Sequence, residues 1–163
     1  MLEILDKVCT PTKGSKYSAA IDLYSREDIV IGAGETKLIP LGVKIDKNKM
    51  PIYLQNNMHR HYLQLEPRSS LRAKGLIAGT GIIDLDYKDE IMIILHNPIW
   101  QTRLGTYEDG KKTIVHFGAT TNFDYKINKG DKIAQILLKE HKTYLFGIET
   151  EDERSGGFGS TGL

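Results

Sequence analysis

The sequence predicts an all-β domain, and three observations carry that reading. Short apolar segments rich in β-branched and aromatic residues recur along the chain, Gly, Asp and Asn punctuate the gaps, and no long amphipathic helix competes. At 163 residues the chain suits one domain able to bury a core, and 40% hydrophobic with 26% charged residues is ordinary for such a domain. Closed antiparallel β architectures, sandwich or barrel, fit this spacing best.

Taken in order, the candidate strands are residues 2–8, 20–24, 29–31, 36–39, 43–45 and 52–54, then 62–65, 91–95, 113–117, 123–127, 132–138 and 143–148. Gly32-Ala33-Gly34, Asp46-Lys47-Asn48, Asp109-Gly110 and Asn128-Lys129-Gly130 mark turns between them. One short helix is expected over residues 70–74, with Ser69 placed to cap it and Gly75 to stop it. There is no internal repeat. Residues 1–148 read as the β domain and 149–163 as a glycine-rich arm, acidic first and then small, expected to be mobile when empty. Phe158 is out of place in such a tail unless its ring stacks on a flat partner. Arg154, Ser160 and Thr161 around it, with the bare amides of the glycines, suit phosphate.

Composition also excludes. A net charge of +1 with scattered basic residues gives no field to attract nucleic acid or an anionic membrane. No apolar run reaches membrane-spanning length. The N-terminus lacks the marks of a signal or transit peptide, and Cys9 is alone, so a reducing, intracellular setting is expected, cytoplasmic with nuclear residence open.

The stretch Gly79-Thr80-Gly81-Ile82-Ile83-Asp84-Leu85-Asp86-Tyr87-Lys88-Asp89-Glu90 organises the rest. As an extended segment it would place Asp84 and Asp86 on one face and Ile83 and Leu85 on the other. Two carboxylates would then face a cleft, anchored by apolar neighbours, with the ring of Tyr87 just beyond. A solvated turn with acidic ends satisfies the same residues.

Five stretches, in order, point one way. They are Ala19-Ala20-Ile21-Asp22-Leu23-Tyr24, Pro67-Arg68-Ser69-Ser70-Leu71-Arg72-Ala73-Lys74-Gly75, the stretch 79–90, Gly130-Asp131-Lys132-Ile133-Ala134-Gln135, and Gly157-Phe158-Gly159-Ser160-Thr161-Gly162. Together they resemble the homotrimeric dUTPase family over nearly the whole chain. The resemblance implies a jelly-roll-like antiparallel subunit, a homotrimer with active sites at subunit interfaces, and hydrolysis of dUTP to dUMP and diphosphate. That activity limits uracil in DNA and supplies dUMP.

By the same resemblance Asp84 is the general base that deprotonates a water for attack on the α-phosphorus, and Gln135 holds that water or the α-phosphate. Arg68, Ser69 and Ser70 bind phosphates. Mg²⁺ rides on the triphosphate, with Asp22 reaching it through water. Backbone groups at Gly79, Gly81, Ile82 and Ile83, and at Met92 on the returning strand of the hairpin, read uracil, and Tyr87 packs under the sugar. Phe158 covers the base while Arg154, Gly159, Ser160 and Thr161 close over the outer phosphates.

The chain departs from the family at Ser70, where glycine is usual, and at Lys88-Asp89, where Arg-Gly is usual. Arg154 stands one residue closer to Gly156-Gly157 than usual, and the stretch from Gln135 to Arg154 is slightly short, which implies an altered trimer site. Residues 53–62 and 98–121 read as insertions, the second a hairpin about Asp109-Gly110 containing Trp100. His59 and His61 form a His-x-His pair with no third ligand, best read as a solvated loop. Two alternatives to the hydrolase stand beside it: a dCTP deaminase of the same fold, and a non-catalytic nucleotide-binding regulatory trimer.

Overall fold

The computed structural model describes residues 1–98, 106–108, 113–115 and 124–148. Its strands are β1 (Leu2–Ile4), β2 (Thr12–Lys13), β3 (Ile21–Tyr24), β4 (Ile29–Ile31), β5 (Thr36–Ile45), β6 (His61–Pro67), β7 (Gly81–Asp84), β8 (Glu90–His96), β9 (Thr106–Glu108), β10 (Thr113–Val115), β11 (Tyr125–Ile127) and β12 (Lys132–Glu140). Two short helices, α1 (Ile52–Gln55) and α2 (Ser69–Ala73), accompany them. The arm residues Arg154, Phe158, Gly159, Ser160 and Thr161 lie outside the described residues, as do Trp100, His116 and the Asp109-Gly110 turn.

The chain is all-β and antiparallel. A five-stranded sheet runs β2-β3-β12-β6-β7, a three-stranded sheet runs β1-β5-β8, and β11-β4 and β10-β9 form separate pairs. Strand alternation explains why the two larger sheets share one core. Along β6, Leu63, Leu65 and Pro67 turn inward while Tyr62, Gln64 and Glu66 turn out; along β8, Ile91, Ile93 and Leu95 turn inward. Leu23, Ala134 and Ile136 join them from β3 and β12, and Ile39, Leu41 and Val43 from β5.

Several local expectations give way to specific contacts. Residues 52–54 form a helix rather than a strand, because Pro51 takes the cap position and only Leu54 finds the core, leaving Ile52 and Tyr53 exposed. The fold therefore has a second short helix where one was expected. Residues 143–148 begin as a 3₁₀ turn, Thr143–Phe146, stopped by Gly147 at φ +65°. The segment 2–8 breaks after Ile4, since the Asp6 carboxylate accepts from the Val8 N–H and starts a 3₁₀ turn. Segments 36–39 and 43–45 fuse into the single bulged strand β5.

Gly42 makes that bulge possible. Its φ of +64° suits glycine, and an added Cβ would lie 2.6 Å from Cβ and Sγ of buried Cys9. The Gly42 N–H donates to Glu90 Oε1 at 2.7 Å, and Arg26 donates to Glu90 Oε2 at 2.7 Å, pinning the start of β8. Burial pushes the Cys9 thiol up, which makes it a packing group rather than a nucleophile.

Candidate active site

The stretch 79–90 divides in two. Residues Gly81–Asp84 form β7, and the Tyr87 N–H then donates to the Asp84 carbonyl at 3.1 Å, closing a turn. Asp86 therefore sits in the turn and does not share a strand face with Asp84, which corrects the expected pair. Leu85 and Tyr87 are buried and anchor the turn, and Asp84 is left exposed at the end of its strand.

Nor is the stretch a paired hairpin. β7 hydrogen-bonds to β6 at the edge of one sheet, while the returning strand β8 is the edge of the other. The two edges are splayed, and between them lies a cleft of about 310 Å³. Its side-chain lining is apolar apart from Thr80 and Tyr87. The Thr80 hydroxyl donates to Glu66 and the Tyr87 hydroxyl to the Glu90 carbonyl. Directional recognition inside this cleft therefore falls to the backbone.

Register decides which backbone groups are offered. The Arg68 N–H donates to the Ile133 carbonyl at 3.0 Å. Antiparallel pairs alternate, so Glu66, Gln64 and Tyr62 exchange bonds with β12, and Leu65 and Leu63 exchange theirs with Gly81 and Ile83 of β7. Ile82 consequently turns its N–H and C=O to the open edge, whereas the Asp84 C=O is taken by the Tyr87 N–H. On the opposite wall the Pro40 carbonyl accepts from the Arg26 N–H at 3.0 Å, facing away from β8. Its partner Met92 must then turn its own groups away from β5. His96, with the same parity, exchanges bonds with Ile77 on that side at 2.8 and 2.9 Å.

Ile82 and Met92 thus turn backbone groups towards the cleft. Gly81 and Ile83 line it as well, with their backbone groups engaged by β6. Gly81 has a different reason to be glycine: an added Cβ would meet the Leu65 Cβ at 3.3 Å. At Gly79 an added Cβ would meet nothing within 4 Å.

A second surface forms at the far end of the five-stranded sheet. Asp22 on β3, Gln135 on β12 and Glu66 on β6 are register partners and share the outer face. Asp22 is buried, its carboxylate paired with Arg68 and, at 3.3 Å, with Lys132. Arg68 occupies the cap position of α2 with no side-chain capping bond, so the helix starts at Ser69 rather than after it. The exposed Ser69 and Ser70 hold the first helical amides, which have no intrahelical acceptor.

Glu66 and Lys132 are members of this surface to which the sequence motifs gave no role. Glu66 accepts from Gln64 at 2.7 Å, Arg72 at 2.9 Å and Thr80 at 2.9 Å. The Gln64 bond first, with Thr80 and Arg72 behind it, holds its carboxyl below the usual glutamate range. A charged residue just before Pro67, inside an alternating strand, was the available signal.

The two surfaces are well apart in one chain. Asp84 pairs with Tyr62 and Gln135 with Glu66, four residues along and two strands across, which is roughly 16 Å from strand spacing and rise. His59 and His61 do not share a strand face, since His59 lies in the 3₁₀ turn Met58–Arg60. No cluster of three or more His, Cys, Asp or Glu able to hold a metal occurs among the described residues.

Comparison with known proteins gives this geometry a family. The dUTPase family model matches residues 6–102, more than half of the chain. A deoxyuridine 5'-triphosphate nucleotidohydrolase of Variola virus is 33% identical over 94% of this chain and 86% of its own. A protein of the same name from Paramecium bursaria Chlorella virus 1 is 31% identical over 99% and 95%. Among solved structures, the dUTPase of Staphylococcus aureus phage phi11 superposes with a TM-score of 0.65 over 98% of this chain and 97% of that one, at 22% identity. An edge-lined cleft ending in an exposed aspartate, a serine-bearing turn after an Arg68–Asp22 pair, and these matches agree: the chain belongs to the dUTPase family.

Proposed function

We propose that the protein hydrolyses dUTP to dUMP and diphosphate. The observation that carries the reading is the cleft between β7 and β8, an apolar slot whose open edges at Ile82 and Met92 offer a fixed set of donors and acceptors, with Asp84 at the end of one edge. A planar pyrimidine edge suits such a slot, and curated relatives at about this identity are named for dUTP.

In the proposed reaction Asp84 accepts a proton from a water whose oxygen attacks the α-phosphorus. The bond to the α,β-bridging oxygen breaks and diphosphate departs. Arg68, Ser69 and Ser70 bind the phosphates, and Gln135 orients the water or the α-phosphate. Tyr87, a buried wall of the cleft, packs against the deoxyribose and rejects a 2′-hydroxyl by steric exclusion. The arm supplies Phe158 over the base and Arg154, Gly159, Ser160 and Thr161 at the outer phosphates.

The described residues build no metal cage, and the Asp22 carboxylate is already matched by Arg68 and Lys132. This donor set fits Mg²⁺ carried on the triphosphate and met by Asp22 through water. When bound, the ion supplies charge neutralisation on the phosphates.

The separation of Asp84 from Gln135 favours an assembly in which a cleft from one chain meets the phosphate-binding surface of another. A homotrimer with shared sites would bring an Asp84 and a Gln135 from different chains to a single phosphorus. A reducing compartment, cytoplasmic or nuclear, suits the buried free Cys9.

A dCTP deaminase would need a side-chain acid or base beside the pyrimidine, and among the described residues the cleft lining contains no carboxylate or imidazole. A purely binding protein would have no use for a base at Asp84. Incubation with dUTP and with dCTP in magnesium buffer, followed by separation of products, tests the reading: dUMP and diphosphate from dUTP are expected. Deoxyuridine nucleotides from dCTP, or intact dUTP, would overturn it.

A further inference from the structure

We propose that Glu66 is a positioning residue that straps the phosphate-binding surface to the base cleft of the same chain. The proposal rests on the dUTP reading above, which assigns base and phosphates to these two surfaces. Both carboxylate oxygens are engaged, and with different elements. Oε2 accepts from Arg72 of α2 at 2.9 Å, while Oε1 accepts from Thr80, the residue before β7, at 2.9 Å and from Gln64 at 2.7 Å. α2 carries Ser69 and Ser70, and Thr80 stands between Gly79 and Gly81 at the cleft wall.

Elementary electrostatics makes this arrangement informative. Glu66 is the register partner of Gln135 on the outer face, where phosphates would approach, and its side chain is only 18% exposed. A carboxylate there repels a polyphosphate unless it does something else. Its charge is spent on Arg72, and its remaining lone pairs on Thr80 and Gln64. With both oxygens taken, it is a poor metal ligand and a poor base. What it does is hold three pieces together: strand β6, the helix α2 through Arg72 in its last turn, and the loop that opens β7. None of these is linked otherwise by a side-chain bond among the described residues that joins α2 to the Gly79-Thr80-Gly81 loop.

The test separates this role from plain electrostatics by sign. Deoxyuridine probes the cleft alone, and inorganic diphosphate with Mg²⁺ probes the phosphate surface alone. Removing a negative charge should by itself strengthen diphosphate binding. A strap lost in Glu66→Ala should instead weaken both probes, each by about tenfold, the order expected for a charge-assisted hydrogen bond. Glu66→Gln keeps an acceptor for Thr80 but turns a donor towards Arg72. It should bind deoxyuridine within about twofold of the parent and diphosphate about tenfold more weakly. Thr80→Ala, at an exposed position, should weaken deoxyuridine alone, and it keeps the proposal testable should Glu66→Ala not fold. Tighter diphosphate binding in Glu66→Ala or Glu66→Gln, or unchanged deoxyuridine binding in Thr80→Ala, overturns the strap while leaving an active parent enzyme intact. A parent protein that leaves dUTP untouched overturns the underlying reading, and the strap with it.

Discussion

The cleft and the proposed phosphate-binding surface differ in where their polar groups lie. In the cleft the side chains are mostly apolar and the information lies in the backbone, at Ile82 on the outer edge of β7 and Met92 on that of β8. On the phosphate-binding surface charged side chains are packed against each other, Asp22 with Arg68 and Lys132, and Glu66 with Arg72. The difference teaches what each can do. Backbone groups held by two sheets cannot rotate or titrate, which suits discrimination among bases of similar shape. Side-chain charges can be strong and adjustable, which suits polyphosphate but tells one nucleotide from another poorly.

The largest expected effect is at the point where the cleft turns to chemistry. Asp84→Asn preserves size and one acceptor oxygen but removes the base, and turnover of dUTP should fall at least about a hundredfold. Binding of dUTP, followed by calorimetry, should stay within a few-fold. Near-normal turnover would show that the cleft binds without Asp84 serving as base.

A sharper test of the cleft uses proline at neighbouring positions. Ile82→Pro removes an N–H that faces the open edge, and the Ile82 side chain is 72% exposed. Deoxyuridine affinity should fall about tenfold with little change in melting temperature. Ile83→Pro removes an N–H committed to Leu63, at an expected cost of about 2 kcal/mol and a melting temperature lower by roughly 5 °C. Reversal of these outcomes would mean that the register places the wrong backbone groups in the cleft.

The smallest effect separates the surfaces by salt. At about 1 M ionic strength the Debye length falls to ~3 Å, so diphosphate affinity should drop severalfold while deoxyuridine affinity stays nearly level. Equal responses of the two probes would erase the contrast.

Much of this was legible in the residues. Composition and turn spacing located β6, β8 and β12 as the segments 62–65, 91–95 and 132–138, and the order of the motifs pointed to the family. What alternation does not carry is pairing across sheets. Asp84 and Asp86 are two apart, yet a turn bond from Tyr87 to Asp84 intervenes. Stretch 79–90 reads as a hairpin, yet its arms join different sheets, because β6 and β5 are better partners for them. Residues 52–54 and 143–148 have strand-like composition but no free strand to pair with. Glu66 was missed for another reason: its place before Pro67 marked it, but its contacts with Arg72 and Thr80 exist only in the folded chain.

The central claim is that the cleft and the phosphate-binding surface of one chain, about 16 Å apart by strand geometry, serve different sites in an assembly. Mixing tests it most directly. Asp84→Asn and Gln135→Ala chains, each impaired alone, are unfolded, combined in equal amounts and refolded together. Shared sites in a trimer predict that dUTP turnover recovers in about a quarter of the sites, well above either parent. A mixture no more active than its parents would contradict the claim and put both residues in the same chain's site.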